Sequence, residues 1–517
     1  MSEQKTFIKL ESSVAILIIL IILAFVIRLY FLPFEVPIRQ DAAEYFTYAF
    51  AMSSNGHFPA GYINNNFGWS TFVSLFFSAT NFSEMLDLMN LQRIVSISIS
   101  VLTAIPIYFL VNVFFKREIA ILSTTIFLFS SHIIENSILG IIEPFFILWI
   151  TLTIMFTFYN HGKFFYISFI FAAIATFVRY EGLLIVIPVL LSFLIKRDFN
   201  KTQIIKLFVG ISFFLIILMS IYMLENENGE KLPVLNLIPE IILGYFFPII
   251  IGGDFDPDDQ FFGESEDKKS QVFIYNASFS FVKYSIWVLI PSTILFVIMS
   301  LILIPKKITK NKIIFLIFGI FVIIAAVWAY GRGIQDPRYL LVLFPILCLL
   351  SGYSFNYLIR KYSFKKILIV TVSGVLVLSF MFTDNRIDNE FNRDMFDATV
   401  FLVNVADCVN EYEGNSYLNI AELKKSWPDL PPLTNANTID VKMKRIPVSE
   451  YNNLLNFIND GKSKNLSHIL VSDLEEKEFL SDVFYNERKY AFLEKVYESD
   501  SLRKIKVFEI NYSKIND

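Results

Sequence analysis

Two carboxylates three residues apart, Asp41 and Glu44, follow Arg39 in the stretch PIRQDAAEYFTYAF (37–50), directly after a long apolar run. Residues three apart share one face of a helix. An aspartate placed there can take a proton from an acceptor hydroxyl, a role worth roughly 10²–10⁴ in rate. The same Asp-x-x-Glu spacing is also a helix capping box, and the two readings are compatible. Further along, HIIENSILGIIEPFF brings Glu135 and then Glu143, which precedes Pro144 at the head of another apolar run. A carboxylate facing lipid is costly, so Glu143 is expected to point into a helix bundle. FVRYEGLLIV sets Arg179 and Glu181 between two short apolar runs, as a local ion pair or as part of an anion site. YGRGIQDPRYLLVLFP opens a span with Arg338 and Tyr339. Arg338 is either a snorkelling side chain or a planar, permanently charged fork for a phosphate. Arg28, near the outer end of the first apolar run, invites the same reading. The lone His57, in a loop, reads as neither ligand nor catalyst, with a metal ligand as the alternative.

The elements that must position these groups are membrane spans. The chain has 517 residues, 55% of them hydrophobic and only 18% charged, with 56 phenylalanines. That composition excludes an ordinary soluble enzyme and predicts a polytopic α-helical membrane protein. About eleven spans are expected, at roughly 13–33, 93–115, 119–134, 138–158, 164–178, 182–195, 204–224, 283–304, 313–330, 338–358 and 367–382. The first run is too long for a signal peptide and lacks a small-residue cleavage pattern, so it reads as a retained span. Lysine and arginine concentrate in one set of loops, for instance Lys116 with Arg117, Lys306 with Lys307, and Lys365 with Lys366. The cation bias makes that side, with the N-terminus, cytoplasmic. The opposite side then receives a long first loop, 34–92, and the tail. Asp41, Glu44, Glu143, Arg179, Glu181 and Arg338 all fall on that external side. Arginine there runs against the bias and needs an anion or an aromatic partner.

The domain division follows composition: a membrane domain over 1–383 and a polar tail over 384–517. Within the tail, SHILVSD reads as a buried strand, FLSDVFYNERKYAF as a helix, and FLEKVYES with RKIKVFEINY as a hairpin. A small extracytoplasmic α/β domain is expected, large enough for its own core. Cys348 and Cys408 lie in unlike regions, which argues against a disulfide and excludes a cysteine metal site. The acidic stretch GGDFDPDDQFFGESED (252–267) departs from a calcium-loop pattern, with Asp259 where glycine belongs and Ser265 where the bidentate glutamate belongs. It reads as a solvated loop, with loose divalent-cation binding as the alternative.

Taken in order, RQDAAEY, GIIEPFF, FVRYEGLL and DPRYLLVLFP resemble the membrane glycosyltransferases that use polyprenyl-phosphate sugars. The likeness is to the dolichyl-phosphate-mannose protein mannosyltransferases and the bacterial lipid A aminoarabinose transferases, over roughly 10–380. It implies a GT-C-like fold and a lipid-linked sugar donor as co-substrate, with no certain cofactor. By carry-over Asp41 is the catalytic base with Glu44 beside it, and Glu143 orients the acceptor or supports a metal. Arg338, Arg179 and Arg28 hold the donor phosphate, and Arg39, Tyr62, Glu181 and Tyr339 are candidate substrate contacts. Partners are a polyprenyl-phosphate sugar, membrane lipid, and a protein, glycan or lipid acceptor, with no nucleic acid. The tail has no Trp-Trp-Asp-Tyr-Gly run, which disfavours whole-oligosaccharide transfer to asparagine. A lipid transporter or flippase is the competing class, but it calls for ionisable groups near span midpoints.

Overall fold

Long apolar runs fold as helices because lipid offers no partner to a backbone N–H or C=O. The computed structural model describes residues 2–57, 66–80, 84–159, 165–196, 201–226, 266–305, 308–412, 443–475, 477–500 and 504–515. In chain order the helices are α1 (Ser2–Phe31), α2 (Asp41–Asn55), α3 (Phe67–Ser78), α4 (Met85–Leu102), α5 (Ala104–Phe114) and α6 (Arg117–Phe129). They continue with α7 (Ser131–Ile138), α8 (Glu143–Phe158), α9 (Phe165–Val178), α10 (Leu183–Lys196) and α11 (Lys201–Asn226). Then come α12 (Glu266–Leu289), α13 (Thr293–Leu303), α14 (Lys310–Gly331), α15 (Phe344–Lys361), α16 (Phe364–Asp384) and α17 (Asn389–Val405). Short 3-10 turns at Tyr180–Gly182 and Pro337–Leu343 precede α10 and α15.

By length and composition, 7 helical stretches among the described residues can cross a membrane, or up to 8 if a bent pair is one span. They are Ser13–Phe31, Met85–Phe114, Lys201–Ser220, Val272–Leu289, Lys310–Gly331, Pro337–Lys361 and Phe364–Val405. The expectation of eleven simple spans is corrected in its details. The run at 119–134 is two helices, α6 and α7, bent by 52°. The break falls at Ser130, whose backbone is extended (φ −64°, ψ 128°). The run at 283–304 is likewise α12 and α13, separated at Ile290–Pro291–Ser292. The helices at 138–158 and 164–178 are shorter than a full span: Glu143–Phe158 and Phe165–Val178. Pro291 at one break and the extended backbone of Ser130 at the other interrupt helices that hydropathy alone would join.

Two compact units divide the chain. The first contains Met1–Tyr30, Ala51–Ser78 and Arg93–Asn385. Its interior is apolar and aromatic, with Trp69, Phe127, Phe129, Phe169, Phe318, Phe344 and Phe355 all fully buried. Arg28 is buried with them, at 0% exposure.

The second unit contains Phe31–Phe50, Ala79–Gln92 and Arg386–Asp517. Its strands are β1 (Cys408–Asn410), β2 (Lys444–Ile446), β3 (His468–Ser472), β4 (Leu493–Glu498) and β5 (Ile505–Ile510). They form a 5-stranded sheet in the order β2-β1-β3-β5-β4. β1 runs parallel to β2 and β3, whereas β5 is antiparallel to β3 and β4. The helices α18 (Leu454–Lys462) and α19 (Glu478–Tyr485) supply Phe457, Ile458, Leu480 and Val483 to a core shared with Ile469, Val471 and Phe508. The buried strand and the hairpin read from the tail sequence are both present. The expected helix over FLSDVFYNERKYAF is shorter, ending at Tyr485 before a 3-10 turn at Glu487–Lys489. Asn410 is fully buried on β1. Its side chain donates to the Leu470 carbonyl (2.9 Å) and accepts from the Leu470 N–H (2.8 Å). This bridge lies beside the short β1–β3 ladder and leaves none of its polar atoms without a role. Both cysteines are free buried thiols.

Candidate active site

In the first unit, four stretches of chain converge on one cleft. Glu143, Arg179, Glu181, Arg338 and Tyr339 give it charge and polarity, and Phe146, Ile150, Ile185, Phe321 and Val342 give it an apolar wall.

Glu143 is the first residue of α8, with Pro144 in the first turn. A fixed φ suits proline there, and the helix dipole favours an acid. The turn before it needs Gly140, whose φ of +76° side chains other than glycine rarely adopt. Trp69 on α3 donates its indole N–H to the Gly140 carbonyl at 3.0 Å. Phe72 stacks on Phe145 with centroids 4.6 Å apart. α3 therefore clamps the turn that presents Glu143.

Arg179 follows the last residue of α9 in an extended conformation, and its carbonyl accepts from the Gly182 N–H at 2.8 Å. That tight return depends on glycine: a Cβ on Gly182 would lie 2.4 Å from the Ala175 carbonyl carbon. A Cβ on Gly68 would meet the Val178 Cα at 2.6 Å, so α3 also seats against the end of α9. The guanidinium is held on two sides. Nη2 and Nε donate to Glu181 at 2.7 and 3.3 Å, and Nη1 donates to Glu143 Oε1 at 2.9 Å. The rings of Phe146 and Tyr339 lie 5.7 and 5.5 Å from it. The side chains of Arg179, Glu143 and Glu181 are only 12%, 7% and 5% exposed.

Arg338 is set by Asp336, which caps the 3-10 turn after Gly331 by accepting from the Arg338 N–H at 2.8 Å. The other Asp336 oxygen accepts from Arg338 Nε at 2.6 Å. Tyr330 donates to the Asp336 carbonyl at 3.0 Å, which fixes the loop onto the end of α14. Asp336 is the member of this cluster that sequence reasoning passed over. The signal was present as Asp-Pro-Arg, a cap residue followed by proline in the first turn.

The remaining candidates are not part of that lining. Arg28 is absent from the cleft lining: its Nε donates to Ser137 at 3.0 Å, and Nη1 donates to the carbonyls of Ala24 and Leu128 at 3.0 and 2.9 Å. Leu128 is in the last turn of α6, where carbonyls lose their helical partners, so this guanidinium serves the α6–α7 break. Asp41, Glu44 and Arg39 belong to the second unit. Asp41 and Glu44 occupy the first turn of α2. The helix starts after Gln40 at φ +51°, so Asp41 is the first helical residue and not the cap itself. Arg39 donates to Asn392 on α17 at 3.3 Å, and Asn389 of the same helix donates to the Phe31 carbonyl at 3.3 Å. α17 thus anchors the segment leading to Asp41. Tyr62 and residues 252–265 of the acidic stretch lie outside the described residues. Among the described residues no group of three or more His, Cys, Asp or Glu side chains is placed to hold a metal ion.

Residues 81–222 match the family described as dolichyl-phosphate-mannose-protein mannosyltransferase. This match covers about a quarter of the chain. The matched segment carries Glu143, Arg179 and Glu181 and ends before Arg338. The fold agrees. It is similar to the apo oligosaccharyltransferase of Archaeoglobus fulgidus at a TM-score of 0.50 and 10% identity, over 91% of this chain and 71% of that one. It is equally similar, at 0.50 and 10%, to ArnT of Cupriavidus metallidurans bound to undecaprenyl phosphate, over 95% of this chain and 97% of that one. The zinc and sulfate complex of the Archaeoglobus enzyme matches at 0.50 and 12%, over 88% of this chain and 68% of that one. At such identities the likeness establishes the GT-C fold. No curated protein matches the sequence.

Proposed function

We propose that this protein is a membrane glycosyltransferase that moves a sugar from a polyprenyl-phosphate donor to an acceptor hydroxyl on the membrane face away from the cytoplasm. The supporting observation is the cleft, which sets guanidinium groups at Arg179 and Arg338 beside an apolar wall of Phe146, Ile150, Ile185, Phe321 and Val342. A phosphate on an isoprenoid chain needs both, and the ArnT of like fold was solved with undecaprenyl phosphate. A site on that face has no access to cytoplasmic nucleotide sugars, and a lipid-borne donor removes the difficulty.

The acceptor oxygen attacks the anomeric carbon as the bond to phosphate breaks, and polyprenyl phosphate leaves. Negative charge grows on the departing phosphate, where aimed guanidinium groups lower the barrier. Asp41 serves as the base that takes the acceptor proton, with Glu44 beside it, and one displacement inverts the anomeric centre. Arg338 and Arg179 hold the phosphate, and Tyr339 and Glu181 border it. The test is transfer from a labelled polyprenyl-phosphate sugar by the purified protein in liposomes. Product of inverted configuration is the expected result. Transbilayer movement of the labelled lipid without transfer would replace this reading with a transporter.

A further inference from the structure

The cations of the cleft are already paired. Arg179 is bound by two carboxylates and Arg338 by one, so two guanidinium groups face Glu143, Glu181 and Asp336. An incoming phosphate meets cations that are already paired. The two carboxylates on Arg179 are not equivalent. Glu181 holds it through both oxygens, at 2.7 and 3.3 Å, the forked arrangement that gives the stronger pair. Glu143 holds it through Oε1 alone, at 2.9 Å. Its second oxygen, Oε2, is buried and has no hydrogen-bond partner among the described residues. A buried carboxylate oxygen left unpaired is unfavourable. The ion pair through Oε1 is therefore bought at the expense of Oε2, and it is the weaker of the two contacts.

We infer that Glu143 is a displaceable stand-in for the donor phosphate: the phosphate takes its place on Arg179 Nη1, while Glu181 keeps the guanidinium aimed. Until then the carboxylate gives the buried guanidinium a second anionic partner beside Glu181. Displacement frees both Glu143 oxygens to accept hydrogen bonds from hydroxyl groups of the arriving sugar, so seating the phosphate and readying Glu143 become one event. The inference rests on the donor class proposed above.

The experiment measures binding of radiolabelled farnesyl phosphate to the full-length protein in a neutral detergent, with farnesol and inorganic phosphate as competitors. Glu143→Gln replaces the competing charge with a neutral acceptor, and charge-assisted bonds are about twice as strong as neutral ones. It should bind farnesyl phosphate about three- to tenfold more tightly than the wild type. Glu143→Asp, which draws the carboxylate back by one methylene, should tighten binding in the same direction, and it supplies the result if the glutamine variant does not fold. Glu181→Gln should weaken binding, because it loosens the guanidinium. Farnesol should compete equally well in all the proteins, and inorganic phosphate should compete poorly. Wild-type binding that Glu143→Gln and Glu143→Asp leave unchanged or weaken overturns the exchange while the donor class stands. Failure of the wild type to bind farnesyl phosphate, or inorganic phosphate competing as well as the lipid, overturns the donor class itself.

Discussion

Asp41→Asn is the sharpest test at the scale of single residues. The amide keeps the shape and cannot accept the acceptor proton, so turnover should fall by roughly 10²–10⁴ while donor binding is retained. Steady-state transfer measured beside farnesyl phosphate binding separates the two effects, and normal turnover would remove Asp41 from the role. The cluster in the cleft was partly legible in the sequence. Arg179 and Glu181 are two apart, so their pairing could be read locally, and it is present at 2.7 Å. The bond from Arg179 to Glu143 could not be read, because it spans 36 positions and depends on how α8 packs on α9. Arg28 was legible only as a charge in an apolar run. The sequence carries no mark of the broken helix whose carbonyl it satisfies, since Ser130–Ser131 is an ordinary dipeptide in an otherwise continuous apolar stretch.

Elements position the site through two glycines. Gly182 returns the chain onto the last turn of α9, and Gly68 lets α3 lie against the same turn. At Gly182 the obstructing atoms are backbone, so neither side can yield by changing a rotamer. Gly182→Ala should lower stability by about 1–3 kcal/mol and displace the Arg179–Glu181 pair. A thermal melt in detergent would show the first effect, and weakened farnesyl phosphate binding the second. A control alanine at Gly319, inside α14 where a Cβ meets nothing within 4 Å, should lower neither stability nor binding. Hydropathy located nearly every helix, yet it joined α6 to α7 and α12 to α13. A window average registers apolar content and is blind to where the backbone turns. The strands of the tail were more legible, because alternation along Leu493–Glu498 and Ile505–Ile510 is a two-residue signal that survives without its neighbours.

At the scale of the molecule, the polar unit should respond to acid in two stages. His468 is buried on β3, and burial lowers its pKa below 6.5. The unfolded chain therefore binds this proton more readily, and stability that is complete above about pH 6.5 falls as pH drops through the lower folded value. Lys495 and Lys504 hold the Glu498 carboxylate down at about 2, from 4.5. Its contribution is present above about pH 4.5 and is lost towards pH 2, and solvent screening keeps it small. Hydrogen exchange of peptides within 443–515, corrected for intrinsic rates, should show protection declining below pH 6.5 and again below 4.5. His468→Gln should flatten the first decline alone. The membrane unit carries a different consequence, one for anyone purifying it. Its cleft sets paired guanidinium groups beside an oily flank, and surfactants that carry a carboxylate on an apolar body, such as cholate, lauroyl sarcosine or stray fatty acid, can compete for both. They should act as competitive inhibitors in their own right, so activity in maltoside or zwitterionic micelles should exceed activity in anionic ones, and added donor should close the gap.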